Sequence, residues 1–357
     1  MVIDEGLKKI QIMKNIFPIL FLCIALFSCG PSKKEGAETY GQVVNVYTHR
    51  HYEVDQRLFK QFEDETGIQV NVVNANADEL IQKMEVEGNA SPADVLITVD
   101  AGRLARAKGK GHIQASSSDF LTNTIPDHLK DHENHWFALT KRARIIVYAK
   151  DRVTPEELST YEALTDNKWQ GKVLIRSSSN IYNQSLLASI IANTGENNAR
   201  NWVAGMVKNM ARTPKGNDRD QVKAVAAGEG DLTIVNTYYL GRMLNSKDPL
   251  EVEAGNKVGI FFPNQDDRGT HINISGAGVA RYSPNKENAV KFIEFLASKP
   301  AQKVFAQANY EYPIHPEVSA TELLQSWGNF KEDKLPLSKL GEYNKLANLI
   351  FDAGSWP

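Results

Sequence analysis

The chain has 357 residues, which at roughly 150 residues per domain predicts about two domains. Lysine and arginine total 41 against 43 aspartates and glutamates, a formal net charge of −2, so the molecule as a whole does not attract nucleic acid or an anionic membrane, and a polyanion-binding role is excluded. The two cysteines, Cys23 and Cys29, leave nothing for a disulfide framework or a thiolate zinc site.

Ile16 to Phe27 is an uninterrupted apolar run of 12 residues preceded by Lys8, Lys9 and Lys14. It is too short for a membrane-spanning helix of about 20 residues and reads as a secretory signal. The run ends in Leu26-Phe27-Ser28-Cys29-Gly30 and is followed by a polar stretch, which resembles a bacterial lipoprotein cleavage box. That resemblance implies a signal peptide at 1–28, acylation of Cys29, a polar tether at 29–41, and a location on the periplasmic side of a bacterial envelope membrane. A mature fold whose only cysteine is acylated excludes thiol nucleophiles, CxxC redox sites and iron–sulfur ligation. Met13-Lys14-Asn15 sets a basic residue directly before the apolar run, so Met13 reads as a better translation start than Met1.

Beyond the tether, strand and helix patterns alternate. Val43 to Tyr47 reads as a strand, and Leu58, Phe59 and Phe62 form a helical stripe behind Asp55, a candidate N-cap. Ile68 to Val73 is a second strand, Leu80, Ile81 and Met84 a second stripe, and Asp94 to Val99 a third strand. This alternation predicts a mostly parallel sheet with helices on its faces. After a polar stretch at 127–135, Arg144 to Tyr148 opens a second set: strands at 172–176, 231–235, 257–262 and 271–279, and helices at 182–193, 196–210, 288–296 and 301–308. No long Gly/Ser/Pro linker separates the sets, so crossing strands are expected to join two α/β lobes.

Several motifs fail on inspection. Lys108-Gly109-Lys110-Gly111-His112 lacks the spacing and the Ser/Thr of a P-loop and reads as a helix C-terminal turn with glycines at positive φ. His128, His132 and His135 would, if helical, line one face as nitrogen ligands for zinc, but no HExxH order or placed general base accompanies them. No GxSxG elbow and no SxxK occurs. The tyrosines are more informative. His51 and Tyr52 follow the first strand, Tyr182 follows the strand at 172–176, and Tyr238 and Tyr239 follow the strand at 231–235. Open α/β sheets bind ligands at such strand ends. Tyrosine is also commonly half-buried for packing alone, so position by itself leaves both readings open.

The segments YTHRHYEVD (47–55), SPADVLITVDAGRL (91–104), RARIIVY (142–148), IRSSSNIYNQSLLASII (175–191), NTYYLGRM (236–243) and EYPIHP (311–316) together resemble the ferric-iron-binding proteins of bacterial ABC importers. The similarity is greatest to the subgroup with a His-Tyr pair, typified by cyanobacterial iron-binding proteins, and it runs from about residue 42 to 318. It implies an α/β, two-lobed periplasmic-binding-protein fold of type II, with a strand hinge and a ligand cleft between lobes. The implied N-terminal lobe is 42–139 plus about 272–318, and the implied C-terminal lobe is 140–271 plus about 319–357. Carried over by position, His51, Tyr52, Tyr182, Tyr238 and Tyr239 match the metal-ligand positions. Relatives tend to have Pro and Arg where this chain has His132 and His135, which marks that histidine cluster as surface drift.

The chemistry agrees with the resemblance. Fe³⁺ is a hard Lewis acid that prefers anionic oxygen, which phenolate supplies, and the ion itself must drive deprotonation of a group with an ordinary pKa near 10. Four phenolates against one Fe³⁺ leave one excess negative charge, so nearby arginines should offset it. Arg50, Arg142, Arg144 and Arg176 are placed for this, with Arg142 and Arg176 the preferred supports behind the ligands. With five protein donors, no synergistic anion is required. The expected function is capture of Fe³⁺ as cargo and delivery to an inner-membrane ABC permease and its ATPase, by a monomer that touches the membrane through its lipid, binds no nucleic acid and catalyses nothing. The alternatives are a small organic or oxyanion solute and, more remotely, an envelope metal-dependent hydrolase built on His128, His132 and His135.

Overall fold

The computed structural model describes residues 42–357, and the expected signal peptide, the acylated Cys29 and the tether lie outside the described residues. The chain runs through β1 (Val43–Thr48), α1 (Glu53–Thr66), β2 (Gln69–Asn74), α2 (Ala77–Glu87), β3 (Val95–Val99), α3 (Ala101–Gly109), β4 (Ile113–Gln114), α4 (Asp119–Thr124) and β5 (Phe137–Ala149). It continues with β6 (Val173–Leu174), α5 (Ile181–Thr194), α6 (Glu196–Asn209), α7 (Asp218–Ala226), β7 (Leu232–Asn236), α8 (Thr237–Leu244), α9 (Pro249–Lys257), β8 (Val258–Phe261) and β9 (Ile272–Ala280). Five helices follow: α10 (Lys286–Ala297), α11 (Lys299–Asn309), α12 (Glu322–Ser326), α13 (Ser338–Glu342) and α14 (Asn344–Ala353).

The strand order is β2-β1-β3-β9-β5-β7-β6, with β4 added beside β9 and β8 beside β5. β1 pairs in parallel with β2 and β3, and β6 in parallel with β7. The expectation of a mostly parallel sheet is corrected by β5 and β9, which run antiparallel to each other and to their other partners. Crossover helices impose parallel pairing only inside each half. Strands that carry the chain from one half to the other and back must run in opposite directions. β5 performs the crossing within one strand: Phe137 to Ala143 pair with β9, whereas Arg144 to Tyr148 pair with β7.

β5 starts earlier than the expected 144–148 because its polar residues are buried: Thr140 is 0 % and Arg142 1 % exposed. α5 is buried on all faces, from Tyr182 to Ile191, as a helix with little amphipathic asymmetry must be. The Lys108 to His112 piece is the turn ending α3, with Gly111 at φ 72°, where a residue with a Cβ would be strained. The polar stretch at 127–135 forms only a single 3₁₀ turn at Asp127–Leu129, so the three histidines do not share a helix face.

Candidate metal centre

Three strand-to-helix junctions carry the candidate ligands. Tyr52 is the N-cap residue of α1, with extended backbone at φ −79° and ψ 148°. Asp55, expected as the cap, sits three residues further on and accepts the Tyr52 backbone N–H at 3.2 Å and Arg50 Nε at 2.9 Å. Tyr182 lies in the first turn of α5 behind the N-cap Asn180, and Tyr238 and Tyr239 open α8 directly after β7. Each ring therefore stands at the positive end of a helix, where a developing phenolate charge is favoured.

The four rings converge. The Tyr182 and Tyr238 hydroxyls are 3.3 Å apart, and the Tyr238 and Tyr239 rings lie 4.2 Å apart between centroids, tilted by 31°. Tyr182 and Tyr238 are buried, and Tyr52 and Tyr239 are half-buried. Burial first, and then the charges that Tyr182 and Tyr239 would acquire, push the Tyr238 phenol well above its ordinary value. Burial and then Tyr182 do the same for Tyr239. Tyr52 is raised by burial, Glu311 and Tyr182, with Arg50 and Arg242 opposing. Tyr52 thus belongs electrostatically to the same cluster although it sits on α1. His51 is exposed beside it, its ring centroid 5.3 Å from that of Tyr52 and its Nδ1 3.4 Å from the His49 carbonyl oxygen.

Guanidinium groups surround the rings. Arg50 and Arg242 lie 5.2 and 5.0 Å from the Tyr52 ring centroid, and Arg142 and Arg144 lie 5.8 and 5.7 Å from that of Tyr182. Arg142 donates to Ser275 Oγ at 2.8 Å and stands 3.7 Å from Glu311, yet its buried Nε and Nη2 have no protein acceptor. Arg176 donates to Asp218 at 2.7 Å, and Arg144 grips the other oxygen of that carboxylate at 2.5 Å. Glu311 receives Arg50, Thr140 Oγ1 at 2.8 Å and Asn309 Nδ2 at 2.7 Å. Burial raises its carboxyl, but Arg50 and Arg142 outweigh that and hold it below the ordinary range.

Sequence reasoning missed Glu311, Asp218 and Arg242. Arg242 stands four residues after Tyr238 on α8, a spacing that puts both on one helix face and could have been read. Gly241 lets the segment carrying Glu311 approach α8: a Cβ there would lie 2.7 Å from the Tyr310 Cβ.

The donor set is oxygen-rich, able to become anionic and backed by cations, which suits a small, hard, highly charged ion. His128, His132 and His135 do not gather into a second centre. His128 meets Glu332 at 3.3 Å, His135 meets Asp131 at 3.1 Å, and His132 is largely exposed. Asp131 is already held by Lys108 at 2.8 Å.

Comparison with known proteins places the chain. Iron uptake protein A1 of Synechocystis sp. (strain ATCC 27184 / PCC 6803 / Kazusa) is 50% identical over 334 residues, 93% of each chain. The solved structure of Trichodesmium IdiA (FutA), in complex with iron and citrate ligands, is similar with a TM-score of 0.86 and 50% identity over 88% of this chain and 100% of that one. Apo FutA2 from Synechocystis PCC6803 gives a TM-score of 0.85 and 45% identity over 89% of this chain and 100% of that one. The architecture is accordingly the two-lobed type II binding-protein fold. The bacterial extracellular solute-binding protein family matches residues 57–332, and the chain belongs to that family.

Proposed function

We propose that this protein captures Fe³⁺ outside the cytoplasmic membrane and delivers it to an ABC permease and its ATPase, as a binding protein without a catalytic step. The observation that carries this reading is the convergence of Tyr52, Tyr182, Tyr238 and Tyr239 from three strand–helix junctions among arginines. Its relatives' names support it: an iron uptake protein and a structure complexed with iron. Tyr52, Tyr182, Tyr238 and Tyr239 bind as phenolates and His51 swings in as the fifth donor, since it is exposed beside Tyr52. Arg142 and Arg176 offset the surplus negative charge. The free N–H groups of Arg142 are available to any oxygen donor that arrives with the ion, although five protein donors do not need one.

The lobes in this reading are 42–139 with about 272–318, and 140–271 with about 319–357. They are joined by the crossing strands β5 and β9, with β5 pairing first with β9 and then, from Arg144, with β7. Closing buries the ion, and opening on the permease draws Tyr52 and His51 away from the other three tyrosines. The protein acts as a monomer tethered through acylated Cys29. A visible spectrum of purified protein with one equivalent of Fe³⁺ tests the reading: a phenolate-to-iron charge-transfer band is expected, and its absence moves the assignment to an organic or oxyanion solute. In fractionated cells, Cys29→Ala should move the protein from membrane to soluble fractions with iron binding unchanged; wild-type protein in the soluble fraction removes the anchor.

A further inference from the structure

Asp100 follows β3 and is fully buried, with φ 81° and ψ 119°, a backbone conformation rare outside glycine. Strain of this kind persists only where surrounding bonds impose it, and here they are explicit. The Asp100 backbone N–H donates to the Ile274 carbonyl on β9 at 2.8 Å. Oδ1 accepts the Gly102 backbone N–H at 2.8 Å and caps α3. Oδ2 accepts Ser185 Oγ at 2.6 Å and Asn273 Nδ2 at 2.8 Å. Asn273 in turn accepts the Ala101 backbone N–H at 2.9 Å and lies in register opposite Arg142 on β5.

One carboxylate therefore joins the end of β3, the returning strand β9 and helix α5. Ser185 is three residues beyond Tyr182 on α5, one helical turn along the same face. Ser185 comes from the half of the molecule that bears Tyr182, Tyr238 and Tyr239, while Asp100 comes from the half that bears Tyr52. We infer that Asp100 is a positioning residue for iron capture: through its bond to Ser185 it fixes the first turns of α5, and hence Tyr182, against the hinge strands and the Tyr52 side of the cleft. This rests on the ferric reading above. The residue touches no ligand atom itself and acts through where the Tyr182 oxygen is held.

The test compares iron release to excess EDTA, and the phenolate band at saturation, in full-chain wild type and five variants. Ser185→Ala removes the bond at a helix position that alanine suits, and Asp100→Asn alters it from the other side while tolerating the same backbone. Ser189→Ala is the control, because the Ser189 hydroxyl, one turn on and equally buried, bonds back to the Leu186 carbonyl within α5. Ser185→Ala and Asp100→Asn are expected to release iron roughly five- to tenfold faster, the scale of one lost buried hydrogen bond, and to shift the band; Ser189→Ala should match wild type. In a Tyr182→Phe background, Ser185→Ala should add nothing. The inference is overturned by wild-type release and band in Ser185→Ala, by equal acceleration in Ser189→Ala, or by an additive effect on Tyr182→Phe. A wild-type protein without the band overturns the ferric reading, and this inference with it.

Discussion

The hydroxyls of Tyr182 and Tyr238 face each other at 3.3 Å although 56 positions separate the residues in the chain. One hydroxyl donates to the other at that distance, so two phenol oxygens from separate strand–helix junctions are presented to one point. A hard trivalent ion prefers such oxygen donors, and the adjoining Tyr239 ring stacks against Tyr238 at the same place.

Removal of one phenol oxygen should therefore be felt in colour and affinity but not in fold. Tyr238→Phe and Tyr239→Phe are each expected to bleach much of the charge-transfer band and to weaken iron binding more than about a hundredfold, beyond the usual cost of losing a supporting residue. His51→Ala should weaken binding less, because His51 is exposed and an imidazole ligand would bring no anionic oxygen to the ion. Isothermal titration with Fe³⁺ delivered as a weak chelate measures all three. Unchanged stoichiometry and spectrum in both tyrosine variants would exclude those tyrosines as ligands.

Arg142 should behave differently. Its guanidinium is 1 % exposed, 5.8 Å from the Tyr182 ring centroid, and has two unpartnered nitrogens. Arg142→Gln is expected to keep the colour and lower iron affinity about 10- to 100-fold. The fold should survive because Glu311 retains Arg50 at 3.1 Å. Competition against a graded series of chelators reads the change; wild-type affinity in the variant would reduce Arg142 to a packing role.

The tyrosines stood out because they follow the strands at 43–47, 172–176 and 231–235, but position alone left packing open and the resemblance supplied their assignment as ligands. The span of β5 was not legible, since the polar run Thr140, Lys141 and Arg142 breaks the apolar strand pattern, and the Glu311 and Glu332 carboxylates that partner it come from distant parts of the chain. Asp218 carried no local signal either. Its role exists only where α7 brings it between Arg144 and Arg176, residues 74 and 42 positions away. Parallel pairing was over-extended for a similar reason: crossover helices announce themselves in sequence, whereas the antiparallel return of β9 beside β5 is a tertiary event.

Alkaline pH should loosen the iron-free protein. Tyr238 and Tyr239 have phenol pKa values raised by burial above the unfolded value near 10. The unfolded chain thus loses these protons first as pH rises, so their contribution to stability is whole below about pH 10 and declines above it. Thermal melts of apo protein from pH 8 to pH 11 should show a fall beginning near pH 10. In Tyr238→Phe/Tyr239→Phe the fall should be shallower; an identical fall would assign it to other groups.

Acidification should expel iron before it unfolds the protein, and the two processes can be separated. Each bound phenolate has displaced a proton, so protons compete for up to four oxygens, and apparent affinity should drop about tenfold per displaced proton for each unit of pH. The unfolding that could mimic this has its own marker in His271, which is 4 % exposed. Burial, followed by Arg144, Arg268 and Arg142, pulls its pKa down to about 3. Its folded pKa lies below the unfolded value of about 6.5, so the stability it contributes is present above that pH and is lost as pH falls towards the folded value, by on the order of 1 kcal/mol per unit. His271→Phe should flatten the acid limb of the apo melting curve while leaving the steep loss of colour where it is in wild type. The measurement is a downward titration of iron-loaded protein with a competing chelator, following the visible band, released iron and far-ultraviolet circular dichroism together. Colour that persists until the dichroism collapses, and that moves with His271→Phe, would mean that the fold and not phenolate protonation controls release, and would remove the tyrosinate site.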